Sequence, residues 1–235
     1  MNIQKIAILT SGGDSPGMNA CIRSVVRCAI SQKRNVIGIM RGYEGMIHGE
    51  FVELNARSVS NILQRGGTIL KTARSKAFMT TEGMKKAYDN LCEEGIEGII
   101  AIGGDGTFKG AVAFNKFNNI PFIGIPGTID NDLFGTDYTI GFDTALNTII
   151  DAVDKIKDTA ASHDRLFFVE VMGRDSGCLA LYAGIACGAE EILMPEQKTD
   201  INALVEKLKE SVLRRKTSSV VIVAEGDDGG GAFKI

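Results

Sequence analysis

Residues 98–107 read Gly-Ile-Ile-Ala-Ile-Gly-Gly-Asp-Gly-Thr. A short apolar run, Gly98 to Ile102, passes without a polar break into a glycine-rich turn, which is how a strand buried on both faces enters a helix. The same arrangement occurs twice more. Ile6 to Thr10 leads into Ser11-Gly12-Gly13-Asp14, and Phe122 to Ile125 leads into Pro126-Gly127-Thr128. Further strands are predicted at Val36 to Met40, Leu166 to Met172, Glu191 to Leu193 and Val220 to Ala224. Between them, Ile22, Val25, Val26 and Ala29 share one helical face, as do Leu146, Ile149, Ile150 and Val153, and Ile201, Leu204, Val205 and Leu208. Strands alternating with amphipathic helices predict an α/β protein with mainly parallel sheets.

The position of the glycines carries chemical meaning. In open α/β sheets ligands bind beyond the carboxyl ends of the strands, where a glycine turn entering a helix offers backbone N–H groups and a positive dipole end to phosphate. All three turns fall at such ends, so a phosphate-bearing ligand is expected. There is no GxxxxGK[ST], and Lys109 stands where a GxGxxG fingerprint needs glycine, so neither the P-loop nor the dinucleotide design applies.

Composition narrows the partner classes. The 235 residues are 44% hydrophobic and 23% charged, enough for a sizeable core, and the formal net charge of −3 disfavours nucleic acid. No apolar run approaches the ~18 residues of a membrane span, and the N-terminus lacks a signal-peptide pattern. The five cysteines, Cys21, Cys28, Cys92, Cys178 and Cys187, form no CxxC pair, which suits reduced thiols and a cytoplasmic, soluble protein. The irregular stretch Thr128 to Gly141 is the candidate crossing between two lobes.

Carboxylates lie beside the turns. Asp105 is inside one, and Asp130 and Asp132 follow another, where carboxylates next to polyphosphate suit Mg²⁺ or a general base for phosphoryl transfer. In isolation Asp130 and Asp132 read more readily as turn caps, and the adjacent strand-end glycines tilt the reading toward chemistry. Arg74, Arg165 and Arg174 lie in loops or near strand ends, where guanidinium groups can grip phosphate. Ser11 and Ser176 have no evident base partner, so neither is expected to be a nucleophile.

Taken in order, Thr10-Ser11-Gly12-Gly13-Asp14-Ser15-Pro16-Gly17-Met18-Asn19, Gly103 to Thr107, Pro126-Gly127-Thr128-Ile129-Asp130-Asn131-Asp132 and Val171-Met172-Gly173-Arg174 resemble the bacterial-type 6-phosphofructokinases. The resemblance implies two Rossmann-like, three-layer α/β/α lobes: residues 1–141 binding ATP and 142–235 binding sugar phosphate. It implies transfer of a phosphoryl group from MgATP to the C1 hydroxyl of fructose 6-phosphate in glycolysis. Asp130 would be the base, with Asp105 and Asp132 toward Mg²⁺. Gly12, Arg74, Ser75, Gly104, Asp105, Gly106 and Thr107 would line the ATP site. Thr128, Arg74 and Arg174 would meet the transferred group. Ile129, Met172, Gly173, Arg174 and Glu225 would hold the sugar, and Arg165 resembles the arginine lent by a neighbouring subunit to the 6-phosphate. That role implies a homo-oligomer, a tetramer in this family.

In pyrophosphate-using relatives aspartate replaces the last glycine of GGDG and lysine replaces the glycine of PGTIDND. This chain has Gly106 and Gly127 there, so ATP is the expected donor and pyrophosphate the alternative. Arg23, Arg27, Glu190 and Lys216 match the family's effector site, whereas Ala56, Lys157 and Thr217 depart from its basic pattern, a loss of cationic contacts that weakens phosphate binding. Beyond Glu225 the family pattern continues with a QRGG-containing segment. The resemblance therefore implies that the segment returning to the first lobe is absent and the second lobe incomplete, and a truncated, non-catalytic nucleotide-binding or interaction form is the reading from another class.

Overall fold

The computed structural model describes residues 3–163, 165–214 and 218–234. The chain divides into two units, residues 1–128 with 138–141, and residues 129–137 with 142–235.

In the first unit, β1 (Lys5–Thr10), β2 (Asn35–Ile39), β3 (Phe51–Leu54), β4 (Gly98–Gly103) and β5 (Phe122–Pro126) form one sheet in the order β3-β2-β1-β4-β5. All neighbours pair in parallel except β3, which runs antiparallel to β2 at the edge. The reason is visible in the strands. Ala7, Leu9, Ile37, Ile39, Ile99 and Ala101 face one core, while Ile6, Ile8, Val36 and Ile102 face another, so alternate residues are apolar toward both sides. Helices α2 (Gly42–His48), α3 (Thr81–Glu93) and α4 (Asp105–Asn115) supply residues to the first core, and α1 (Met18–Ser31) covers the second with Met18, Ile22, Val26 and Ala29. Each large aliphatic side chain buried in this way contributes about 1.5–3 kcal/mol by leaving water. Aromatic rings extend the first core, with Phe78 stacked on Tyr43 at 4.1 Å between centroids and on Phe114 at 5.5 Å.

The second unit is a smaller version of the same design. Strands β6 (Leu166–Val171), β7 (Glu191–Leu193) and β8 (Ser219–Ala224) form a parallel sheet in the order β6-β8-β7. Along β8, Val220, Ile222 and Ala224 pack toward α5 (Phe142–His163) and α6 (Cys178–Cys187), and Val221 and Val223 pack with Leu204 of α7 (Ile201–Leu213). Asp200 caps α7 by accepting from the N–H groups of Asn202 and Ala203 at 3.0 and 3.1 Å, satisfying donors that the first turn leaves unpaired. Both units are thus three-layered α/β/α, as the resemblance implies.

Two expectations are corrected. The division does not fall at a single boundary after residue 141, because 129–137 belongs with the second unit while 138–141 belongs with the first. Hydrogen bonds account for the return to the first unit: Ile140 N–H donates to Pro126 O at 2.9 Å and Gly141 N–H to Thr128 O at 3.2 Å. Strand β6 ends at Val171 rather than Met172, since Gly173 and Arg174 turn the chain through positive φ values of 147° and 52°.

Candidate active site

The sheet order places the glycine turns. β1, β4 and β5 are adjacent, and β1 lies between β2 and β4, so the strand order reverses at the β1/β4 boundary. This is the topological switch point at which doubly wound sheets open a crevice. Ser11–Asp14, Gly103–Thr107 and Pro126–Thr128 all emerge at that end of the sheet.

The turns are tied to one another. Ser11 N–H donates to Ile102 O at 3.1 Å and Gly127 N–H to Gly103 O at 2.9 Å. The buried Thr107 hydroxyl donates to Ser11 O at 3.1 Å, and the Ser15 hydroxyl donates to Gly127 O. Tyr43 donates its hydroxyl to Thr107 O at 2.5 Å, and burial pushes its phenol pKa well up, keeping it a donor. A Cβ on Gly103 would lie 2.6 Å from Ser11 O, so the β1 and β4 turns can approach only through glycine. Gly13 and Gly106, in contrast, face open space, with nothing within 4 Å of an added Cβ. Tight internal contact on one side and open backbone on the other suit a cradle into which phosphate oxygens can come close.

Helix α4 begins at Asp105 with Gly104 before it, so its first-turn N–H groups and its positive end face this crevice. Asp105 is 55% exposed and pairs with Lys109 one turn on at 2.6 Å. Among the described residues no cluster of three or more His, Cys, Asp and Glu side chains could hold a metal ion. The exposed Asp105 carboxylate at the start of α4 is a donor of the type that suits Mg²⁺, which keeps several waters and binds through one or two carboxylates plus substrate phosphates.

Arg74 and Ser75 lie in the long irregular connection between β3 and α3, Arg74 exposed and Ser75 half-buried. This connection is brought to the end of β1 by side chains. The Thr10 hydroxyl is 3.0 Å from both Thr68 Oγ1 and Lys71 O, and Asn19 of α1 donates to Arg65 O and Gly66 O while accepting from Ile69 N–H. Ser75 Oγ accepts from Phe78 N–H at 3.1 Å and also hydrogen-bonds the Glu44 carboxylate, which it holds below the usual range. Thr10, Ser15 and Asn19 lie inside the quoted motif of residues 10–19, which assigns them no individual role, and Tyr43 lies outside every quoted motif. Asn19 carries a further hint, as an amide among the inward-facing residues of an amphipathic helix.

In the second unit the residues expected to hold the sugar gather at the ends of β6 and β8, which are hydrogen-bonded neighbours. Glu225 Oε1 accepts from Gly173 N–H at 3.2 Å and from Arg174 N–H at 2.6 Å, and Glu225 N–H donates to Val171 O at 2.9 Å. Met172, Arg174 and Glu225 are exposed, and Asp130 is buried at 8% exposure with its carbonyl oxygen accepting from Ser176 Oγ at 3.1 Å. Ile129 is half-buried, Asp132 exposed, and Asn131 between Asp130 and Asp132 takes a left-handed φ of 52°. Arg165, at the start of β6, is exposed and lies at the opposite strand end from Met172–Arg174. The structure does not bring it into the cluster within its own unit.

The residues matched to an effector site lie elsewhere. Arg23 donates to Val59 O at 2.5 Å, Arg27 is exposed, and Glu190 precedes β7. Lys157 donates to Cys187 O at the end of α6. Lys216 and Thr217 lie outside the described residues.

Fold and turns define the class: a doubly wound α/β protein whose switch-point turns are glycine-rich. Within that class the chain belongs to the phosphofructokinase family, whose model, described as Phosphofructokinase, matches residues 5–233. It is 59% identical over 230 residues to ATP-dependent 6-phosphofructokinase 1 of Thermus thermophilus, a match covering 98% of this chain and 71% of that protein. It is 58% identical over 231 residues to ATP-dependent 6-phosphofructokinase 2 of Bacteroides thetaiotaomicron, again covering 98% of this chain and 71% of the relative. Among solved structures, the phosphofructokinase from Saccharomyces cerevisiae superposes with a TM-score of 0.90 at 40% identity, covering 95% of this chain and 34% of that one.

Proposed function

We propose that the chain transfers the terminal phosphoryl group of MgATP to the C1 hydroxyl of fructose 6-phosphate, giving fructose 1,6-bisphosphate and ADP in glycolysis. The observation that carries this reading is Pro126-Gly127-Thr128-Ile129-Asp130-Asn131-Asp132 running out of β5 at the switch-point end of the sheet. Its support is the names of the 58–59% identical relatives.

The ATP phosphates approach the open backbone at Gly13 and Gly106, with Gly12, Gly104 and Thr107 shaping the turns and Arg74 and Ser75 closing one side. Asp105 and Asp132 hold Mg²⁺, which when bound neutralises charge on the phosphate oxygens. Asp130 takes the proton from the C1 hydroxyl as that oxygen attacks phosphorus. The new C1–O–P linkage forms as the bond from the γ-phosphorus to the bridging oxygen breaks, and ADP leaves with that oxygen. Thr128 donates a hydrogen bond to the moving group, and Arg74 and Arg174 steady its charge. Met172, Gly173, Arg174 and Glu225 orient the sugar. Arg165, exposed on its own subunit, reaches the 6-phosphate of a neighbour's site in a homo-oligomer.

ATP is favoured over pyrophosphate because Gly106 leaves the nucleotide's path open. Steady-state assays of this chain with fructose 6-phosphate, Mg²⁺ and either ATP or pyrophosphate test the reading. Turnover with ATP is expected, and a preference for pyrophosphate or no turnover with either donor overturns it. In the active protein Asp130→Ser should lower kcat by at least about 10²-fold, the lower range for a general base, with nucleotide binding retained. Unchanged turnover would remove Asp130 from the role of base.

A further inference from the structure

Ser176 is a buried hydroxyl, 7% exposed, in the turn that joins Met172-Gly173-Arg174 to α6. A serine hydroxyl has one proton to give. Ser176 Oγ gives it to the carbonyl oxygen of Asp130 at 3.1 Å and accepts from Cys178 N–H at 3.3 Å.

The turn from which this hydroxyl projects is held from several sides. Glu225 accepts from Gly173 and Arg174, Ser176 N–H donates to Gly173 O at 2.9 Å, and Gly177 N–H donates to Glu196 Oε1 at 2.8 Å. Substitution has little room: a Cβ on Gly173, already at a φ of 147°, would lie 2.5 Å from Ser176 O, and one on Gly226 would lie 1.9 Å from Arg174 O. The turn is a rigid platform anchored to β8 and to the chain after β7. Segment 129–137 belongs to the same unit but to none of its helices or strands. Its link to the platform through Ser176 falls at Asp130 itself.

We propose that Ser176 is a positioning residue for phosphoryl transfer: its hydrogen bond sets the backbone of Asp130 in register with the turn that holds the sugar. The proposal rests on the reading of Asp130 as the base. The geometric logic is that a base misplaced by a fraction of an ångström loses its line to the hydroxyl proton, while nucleotide binding in the first unit is untouched.

Ser176→Thr and Ser176→Val fill nearly the same volume and differ in the hydroxyl, so comparing them separates the hydrogen bond from packing. Ser176→Ala supplies a third variant in which no atoms are added to the buried site. Two readouts are taken on the full chain: kcat with the KM for ATP, and backbone amide exchange by peptide mass. Ser176→Val should fall roughly tenfold in kcat below Ser176→Thr, about the effect of one hydrogen bond, with the ATP KM unchanged. In Val and Ala, peptides spanning 129–137 should exchange faster, with β8 unchanged. Equal kcat for Thr and Val, or exchange at 129–137 as slow in Val and Ala as in the wild type, overturns the proposal. If the wild type shows no turnover the kinase reading fails by itself, and the exchange comparison still decides whether Ser176 holds the segment.

Discussion

Asn19 shows how one side chain reaches a site it does not touch. Its amide, 2% exposed, gives both protons to carbonyls of the 65–66 backbone and accepts the N–H of Ile69, fastening the chain that leads to Arg74. Asn19→Ala would strand these backbone groups, so a loss of about 2–3 kcal/mol is expected in urea denaturation, with a raised KM for ATP in the active protein. Asn19→Asp should be worse, since a carboxylate would face two carbonyl oxygens. At Cys21, burial pushes the thiol up to about 11, which keeps it protonated at neutral pH and lowers its reactivity. Alkylation at pH 8 followed by peptide mass should therefore label exposed Cys28 and Cys92 well before Cys21, and raising the pH toward 10 should narrow the difference. The identity of Asn19 was plain in the sequence, but its partners lie 46 to 50 residues away, so no local pattern announces them.

At the scale of elements, legibility followed apolar runs bounded by turns. The seven strands read from the sequence lie within one residue of their observed ends, because each is a short run of mainly apolar residues, whether covered on both faces as β1, β4 and β8 are or partly exposed as β5 and β6 are. β3 escaped: Phe51-Val52-Glu53-Leu54 is a four-residue antiparallel edge on which only Leu54 is buried. α2 escaped as well, since Gly42 and Gly45 argue against a helix until packing is known. A Cβ on Gly45 would lie 1.7 Å from Met40 O, so glycine there answers a tertiary demand against helix propensity. The turn before α4 gives a test of the nucleotide cradle. Because nothing lies within 4 Å of a Cβ on Gly106, Gly106→Asp should fold with a melting temperature near that of the wild type, yet weaken ATP binding, measured by titration calorimetry, by about tenfold or more through filled space and like charge. Gly127→Lys should behave differently. Its Cβ would lie 2.7 Å from Ile102 Cγ2 beneath the turn, so thermal unfolding should show a loss of about 1–3 kcal/mol.

For the whole molecule, the exposed position of Arg165, away from the Met172–Arg174 turn, makes the proposed sharing between subunits testable. Arg165→Ala and Asp130→Ser should each be nearly inactive alone. Unfolded and refolded together they should regain a fraction of wild-type turnover, because a subunit retaining Asp130 can receive Arg165 from its neighbour. No recovery in mixtures shown by sedimentation to be oligomeric would place Arg165 outside the partner's site. The sequence by itself determined the α/β class, the strands other than β3 and the glycine turns, and through its ordered motifs the family, because apolar strand runs and phosphate-type turns are local patterns. Only the tertiary structure decided that β1, β4 and β5 are neighbours, that 129–137 goes with the second unit while 138–141 returns to the first, and that Ser176 meets Asp130. Strand order and hydrogen bonds between residues distant in sequence arise when separate apolar faces are buried against one another, and no local stretch of sequence encodes which partner each will find.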